Sequence, residues 1–278
     1  MSRLSLLIDV RKCNGCHNCF LACRDEHYGN DYPPCSAAQP LNGQFWMQVK
    51  ELERGAYPRP KLSYIPTPCM HCVEAPCEEV AMGGAVYRRS DGIVVIDPEK
   101  AKGQEQIVRA CPYRVVFWNA DLDLPQTCTL CAHRLDEGEK QPRCVESCPT
   151  GALVFGDLDD PEAEIAKLSA ALQTEAFHPE YDTVPLVRYV GIPKRLVAGE
   201  VVLEGKDDAC AEGVRITLEG EGVRLDTASD TFGEFEFEGL EKHGAYRITI
   251  AHAGYTPRQI DVRTHTDVDL GEIVLTAP

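Results

Sequence analysis

Cys13, Cys16, Cys19 and Cys23 follow the spacing Cys-x2-Cys-x2-Cys-x3-Cys, and nothing else in this 278-residue chain narrows its fold as much. In that spacing three closely set thiolates hold one iron–sulfur cubane, while the fourth reaches across to a second. The other cysteines are Cys35, Cys69, Cys72, Cys77, Cys111, Cys128, Cys131, Cys144, Cys148 and Cys210, so thirteen of the fourteen lie within the first 148 residues. Whatever uses them occupies the first half of the chain. A disulfide framework belongs to small exported domains. Met1–Asp9 has too short an apolar stretch and no small-residue cleavage site for a signal peptide, so the expected compartment is the cytoplasm. Zinc suits isolated Cys-x-x-Cys pairs, and Cys128-Thr-Leu-Cys131 with Cys144 and Cys148 passes alone as a structural zinc site. The four-cysteine run at the start does not fit zinc, which leaves iron–sulfur clusters.

An internal repeat extends the reading. Shifted by 88 residues, Ile8-Asp9 lies over Ile96-Asp97 and Lys12 over Lys100, while Cys13, Cys16 and Cys19 fall on Ala101, Gln104 and Ile107 and Cys23 falls on Cys111. This copy has lost three ligands and kept one. Likewise Cys77, Ala81, Gly84 and Ala85 stand 67 residues before Cys144, Cys148, Gly151 and Ala152. The first half therefore reads as four cysteine motifs, near residues 13, 69, 101 and 128, in two pseudo-repeated ferredoxin-like modules.

The losses indicate how the motifs are wired. If each motif lends its fourth cysteine to a partner motif, only the pairing of first with fourth and second with third leaves every surviving cluster complete. It predicts one cluster on Cys13, Cys16, Cys19 and Cys148, a second on Cys128, Cys131, Cys144 and Cys23, and a third on Cys69, Cys72, Cys77 and Cys111. The fourth set would be Ala81, Ala101, Gln104 and Ile107, all four ligands having gone together, as expected when a cluster is discarded. Twelve cysteines thus make three [4Fe–4S] clusters, and Cys35 and Cys210 are left as free thiols packed as small hydrophobes. Pro112 and Pro149 follow the lone fourth cysteines, as in the Cys-Pro ending of such motifs, whereas Arg24 follows Cys23. His17, His71 and His133 flank the motifs. With four thiolates already supplied to each cluster, these histidines are expected to be structural or to donate hydrogen bonds near the sulfurs.

Pro66-Thr-Pro-Cys-Met-His-Cys72, Ala85-Val-Tyr87 with Asp91-Gly-Ile-Val-Val-Ile-Asp-Pro-Glu-Lys-Ala-Lys-Gly103, Cys111-Pro-Tyr113 and Cys128-x2-Cys131-Ala-His133 together resemble the iron–sulfur subunits of the dimethyl sulfoxide reductase family. The likeness runs over nearly the whole chain, including a β-rich tail that most electron-transfer subunits lack. It implies three [4Fe–4S] clusters here and a large catalytic partner holding molybdenum on two pterin guanine dinucleotides. It also implies a heterodimer acting on phenolic aromatics, of transhydroxylase, hydroxylase or dehydroxylase type. A subunit of another respiratory molybdenum reductase, or a scaffold in which the clusters mainly stabilise the fold, are the competing readings.

The second half differs in character. Residues 161–175 predict a helix, with Asp160 as N-cap, Pro161 in the first turn and Ile165, Leu168 and Leu172 at helical spacing. A Pro-containing stretch to about residue 195 reads as linker. From 196 to 278, short alternating runs at 199–203, 214–218, 234–237, 246–250 and 268–275, with turn signals between them, predict a seven-stranded all-β sandwich or barrel resembling transthyretin-like modules. The whole is thus an α+β chain: a ferredoxin-like domain over 1–160, helix and linker over 161–195, and a β domain over 196–278. The β domain shows no nucleophile, metal or cofactor constellation, so a structural or docking role is expected of it. With 44 acidic against 28 basic residues the net charge is −16, which repels nucleic acid and anionic lipid. No run of eighteen apolar residues is present, so direct membrane insertion is not expected.

Overall fold

The computed structural model describes residues 2–55, 57, 59–205 and 211–278. The chain divides into two compact units, one of residues 1–52 and 63–192, the other of residues 53–62 and 193–278.

In the first unit, to which the strands Gln48–Arg54 and Lys61–Thr67 belong except for their ends within residues 53–62, the regular elements are short and set between cysteine loops. In chain order they are β1 (Leu4–Asp9), α1 (Asn18–His27), β2 (Gln48–Arg54), β3 (Lys61–Thr67), α2 (Pro76–Glu79), β4 (Val86–Arg88), β5 (Val94–Ile96) and α3 (Gln106–Ala110). They continue with β6 (Phe117–Asn119), β7 (Leu124–Gln126), α4 (Ala132–Asp136), α5 (Arg143–Glu146), β8 (Leu153–Asp157), α6 (Glu164–Ala171) and β9 (Arg188–Val190). β1 is the central strand of a three-stranded sheet, antiparallel to β8 with Leu6 opposite Phe155, and parallel to β9 with Ile8 opposite Tyr189. Both its faces are covered, which is why Leu6, Leu7 and Ile8 run consecutively apolar instead of alternating. β4 with β5 and β6 with β7 form short hairpins.

Two expectations for residues 161–195 change. The helix is shorter than predicted: it starts at Glu164 with Ala163 at the N-cap, and Leu172 already leaves it in an extended conformation. Asp160 instead accepts a hydrogen bond from the Glu162 N–H at 2.9 Å, closing a tight turn before the helix. Nor is the rest a linker. Leu186, Val187, Tyr189 and Val190 are buried, the Leu186 N–H donates to the Met70 carbonyl at 3.1 Å, and the Tyr189 hydroxyl donates to the Pro66 carbonyl at 2.8 Å. Four apolar residues in five overrode the proline signals, because burying them outweighs loop propensity.

The second unit contains β10 (Arg195–Leu203), β11 (Arg215–Gly220), β12 (Val223–Ala228), β13 (Glu234–Leu240), β14 (Ala245–Ala251), β15 (Arg258–Arg263) and β16 (Val268–Leu275). They form two sheets, ordered β13-β10-β16 and β12-β11-β14-β15. Val197, Val201, Ile216, Leu218, Phe235 and Ile248 are among the residues of their shared apolar core. Strict alternation put Phe235 and Phe237 inside and Glu234, Glu236 and Glu238 outward. β12 and β15 escaped prediction because their residues are mostly exposed and carry little apolar period. Residues 53–62 join this unit through charge. Arg59, with its side chain only 13% exposed, stands 2.7 Å from Glu234, 3.7 Å from Asp269 and 3.8 Å from Glu200, and Lys61 pairs with Glu236 and Glu238. Burial works against Lys61's charge, but the two glutamates prevail and raise its pKa. Among the described residues no helix is long and apolar enough to cross a membrane.

Candidate metal centres

No disulfide joins the described cysteines. Cys13 and Cys16 lie in the loop between a single helical turn at Val10–Lys12 and α1, and Cys19 lies on α1. Cys148, after α5, is their electrostatic neighbour: the charges of Cys13, Cys148 and Cys16 all act on Cys19, whose thiol is pushed up to about 12, foremost by burial. Cys23, one turn beyond Cys19 on α1, feels the charges of Cys128, Cys131 and Cys19, and Cys144 those of Cys131, Cys128, Cys23 and Cys19. Burial pushes Cys23 and Cys144 well above the ordinary thiol range, and the neighbouring thiolates add to it. Cys69, Cys72, Cys77 and Cys111 line one apolar cavity with Met70, Val94, Ile96 and Val116.

Cys69, Cys72, Cys77 and Cys111 thus share one cavity, whereas Cys19, on which Cys13, Cys16 and Cys148 act, itself acts on Cys23 and Cys144, and among the described residues no three His, Cys, Asp or Glu side chains stand as a preformed metal site. Cys148 acts on Cys13 and Cys19 and is not among the main influences on Cys131 or Cys144. The donor set suits a cluster. Cys23, Cys128, Cys131 and Cys144 are all buried, and as thiolates they would repel one another and be poorly solvated, a cost that a bound cation offsets, whereas Cys16 is exposed.

Three of the loops share a backbone device. Gly15, His71 and Leu130, each two residues after a leading cysteine, have φ of +71°, +46° and +49°. The turn aims the N–H of each back at the sulfur of Cys13, Cys69 and Cys128 respectively, the last at 3.4 Å. Such donors favour the thiolate form. At Gly15 a side chain is also barred, since a Cβ would come within 2.5 Å of the Tyr64 ring. Gly103, two residues after Ala101, keeps the same left-handed turn at φ +74°. There the space is filled: Ala101 and Ile107 are fully buried in an apolar cluster with Ala85, Val86 and Val116, and Ala81 packs against it. Gln104 closes it, accepting from the Met82 N–H at 2.8 Å and donating to the Lys100 carbonyl at 2.8 Å.

Cys148 differs from the other ligand candidates. Its partial burial is outweighed by the Thr150 hydroxyl and the N–H groups of Leu153, Thr150 and Ala152, so its pKa is lowered. Cys35 is buried, with the Arg89 guanidinium 3.8 Å from its sulfur, and Cys210 lies outside the described residues.

Of the flanking histidines, His17 occupies the N-cap of α1 and His71 accepts from the Val94 N–H at 3.1 Å. His133 meets Glu26 at 2.9 Å and stacks on Tyr32 with centroids 3.6 Å apart. The histidine that does meet a ligand thiol is one the sequence reading missed: His27 Nε2 lies 3.8 Å from Cys131 Sγ. Burial, then the nearby His133, draws its pKa down to about 3, so the ring is neutral. Its signal was helical spacing, since Cys19, Cys23 and His27 recur every four residues and share one face of α1.

Comparison with known proteins places the cysteine-rich region among 4Fe-4S domains. A model of the 4Fe-4S dicluster domain matches residues 60–158, and one of the carboxypeptidase regulatory-like domain matches residues 197–276. The chain is 40% identical over 283 residues to the pyrogallol hydroxytransferase small subunit of Pelobacter acidigallici, covering 99% of this chain and 100% of that one. It is 33% identical over 205 residues to a sulfite dehydrogenase subunit of Allochromatium vinosum, covering 70% and 85%. It is 34% identical over 199 residues to a tetrathionate reductase subunit of Salmonella typhimurium, covering 70% and 75%.

Proposed function

The chain belongs to the iron–sulfur subunits of the dimethyl sulfoxide reductase family, and we propose that it relays single electrons through three [4Fe–4S] clusters, to or from a large molybdenum-bearing partner that acts on phenolic aromatics. The spacing of twelve cysteines, four of which line one apolar cavity, together with the action of Cys148 on Cys13 and Cys19 across more than a hundred residues, supports this reading. The phenolic substrate class rests on the likeness to the pyrogallol hydroxytransferase small subunit, which runs the full length and takes in the β unit.

When bound, each cluster supplies one-electron transfer at a potential set by its surroundings. The protein's part is to hold and insulate. Cys13, Cys16, Cys19 and Cys148 hold one cluster, Cys23, Cys128, Cys131 and Cys144 the second, and Cys69, Cys72, Cys77 and Cys111 the third. Leu130, Met70 and Ile65 exclude water around them. The retained turn at Gly103 and the plug made by Gln104 support reading residues 81–107 as a fourth cluster site turned into ordinary core. Atom transfer belongs to the molybdenum centre on the partner, where the two pterin guanine dinucleotides are held.

Anaerobically purified protein should contain about twelve irons and as many sulfides per chain, four for each complete thiolate set. Iron near sixteen, or zinc in its place, would show the assignment to be wrong. The relay itself is tested by stopped-flow absorbance. Alone, the chain should be reducible by dithionite yet turn over no pyrogallol, resorcinol or catechol. Rejoined with its partner, it should show cluster bleaching and recovery on the timescale of turnover. Clusters that stay silent while the complex turns over at full rate would replace the relay with the scaffold reading.

A further inference from the structure

His27 is 1% exposed, and the thiol of Cys131 is the one hydrogen-bond partner of its ring among the described residues. Its Nδ1 is buried without a partner. Two tautomers are available to a neutral ring, and they are not equivalent here. With the proton on Nδ1, a buried N–H would be orphaned while Nε2 faced a sulfur that, once bound to iron, carries no proton to give. With the proton on Nε2, the N–H points at the one acceptor within reach. The ring has little freedom to turn away. Trp46 lies against it at 4.7 Å between centroids, Tyr32 meets it edge-on at 5.7 Å, and His133 meets it edge-on at 5.3 Å.

We propose that His27 donates a hydrogen bond from Nε2 to the sulfur of Cys131 and thereby sets the potential of the cluster held by Cys23, Cys128, Cys131 and Cys144, a proposal that rests on the cluster assignment above. Reduction adds negative charge to a cluster and its thiolates, and a fixed N–H dipole aimed at one of those sulfurs stabilises the reduced form more than the oxidised form. His27 is therefore a positioning residue that raises one potential and biases where an electron rests along the chain. Its place on α1, one turn beyond Cys23, means the helix that supplies a ligand to this cluster also supplies the donor.

The test is an EPR-monitored redox titration of the iron-loaded full-length protein and two variants. His27→Phe keeps the ring packing against Trp46 and removes the donor, and His27→Gln places an amide N–H near the position of Nε2. Both are expected to keep about twelve irons. His27→Phe should lower the potential of one cluster and leave the other two unchanged, and His27→Gln should recover part of the loss. Three unchanged potentials in a fully loaded His27→Phe protein, or an equal drop in both variants, would overturn the proposal. If His27→Phe loses iron, pulsed EPR on wild-type protein labelled with 15N-histidine decides. The reduced cluster should show a nitrogen coupling that His27→Gln abolishes, and its absence would equally refute the donor. Wild-type protein lacking the expected iron would instead refute the cluster assignment on which the proposal stands.

Discussion

Stripped of iron by an anaerobic chelator, the protein should lose cooperative structure across residues 1–52 and 63–192 while the β unit stays folded. The first unit's main apolar cluster includes Cys19, Cys23, Cys69, Cys128 and Cys144 among its buried members, so the proposed ligands are core residues. Removing the metal leaves holes in that core and removes the cross-links between the start and end of the unit, whose other elements cannot compensate. Helices of four or five residues such as α2, α4 and α5, and three-residue hairpin strands, have no stability of their own. The loss should be the unit's whole stability, on the order of 5–15 kcal/mol. In the second unit, seven strands enclose a separate core free of described cysteines, and its amides should remain protected. Hydrogen exchange read by mass spectrometry separates the two halves. A cooperative melting transition in an iron-free first unit would contradict the argument.

Cys148→Ala should damage the cluster of Cys13, Cys16 and Cys19 rather than that of its sequence neighbour Cys144. Cys148 is set up for the part. The Thr150 hydroxyl and three backbone N–H groups lower its pKa, so it enters as a thiolate more readily than the deeply buried ligands. Iron should fall from about twelve toward about eight per chain, and the EPR signal that disappears should match the one missing in Cys13→Ala. Cys144→Ala should remove a different signal. Identical spectra for Cys148→Ala and Cys144→Ala would refute the crossed pairing.

Much of this site was legible because cluster ligation is a matter of residue type and spacing. A cubane needs four thiolates, and the chain supplies twelve in motifs whose gaps are complementary. The set proposed as discarded was suggested by the loss of all four members at once. His27 was not legible in the same way, because its role depends on which helix face meets the Cys131 loop. The flanking histidines attracted attention by adjacency, yet the contacts of His71 and His133 are with the Val94 backbone and with Glu26.

By itself the sequence determined the iron–sulfur class, the two-part architecture and the inward faces of strands such as β13, since each follows from local periodicity or from the spacing of cysteines. Only the tertiary structure decided that residues 183–190 complete the first unit, that residues 53–62 belong with the second, and that Gln104 ties Met82 to Lys100 beside the Ala101 and Ile107 cluster. Each of these depends on a long-range partner: Met70 and β1 for the supposed linker, the outward glutamates of β13 for Arg59 and Lys61, and the Met82 backbone for Gln104. Burial and charge pairing outweigh local propensity where such partners meet, and one-dimensional spacing carries no record of who meets whom.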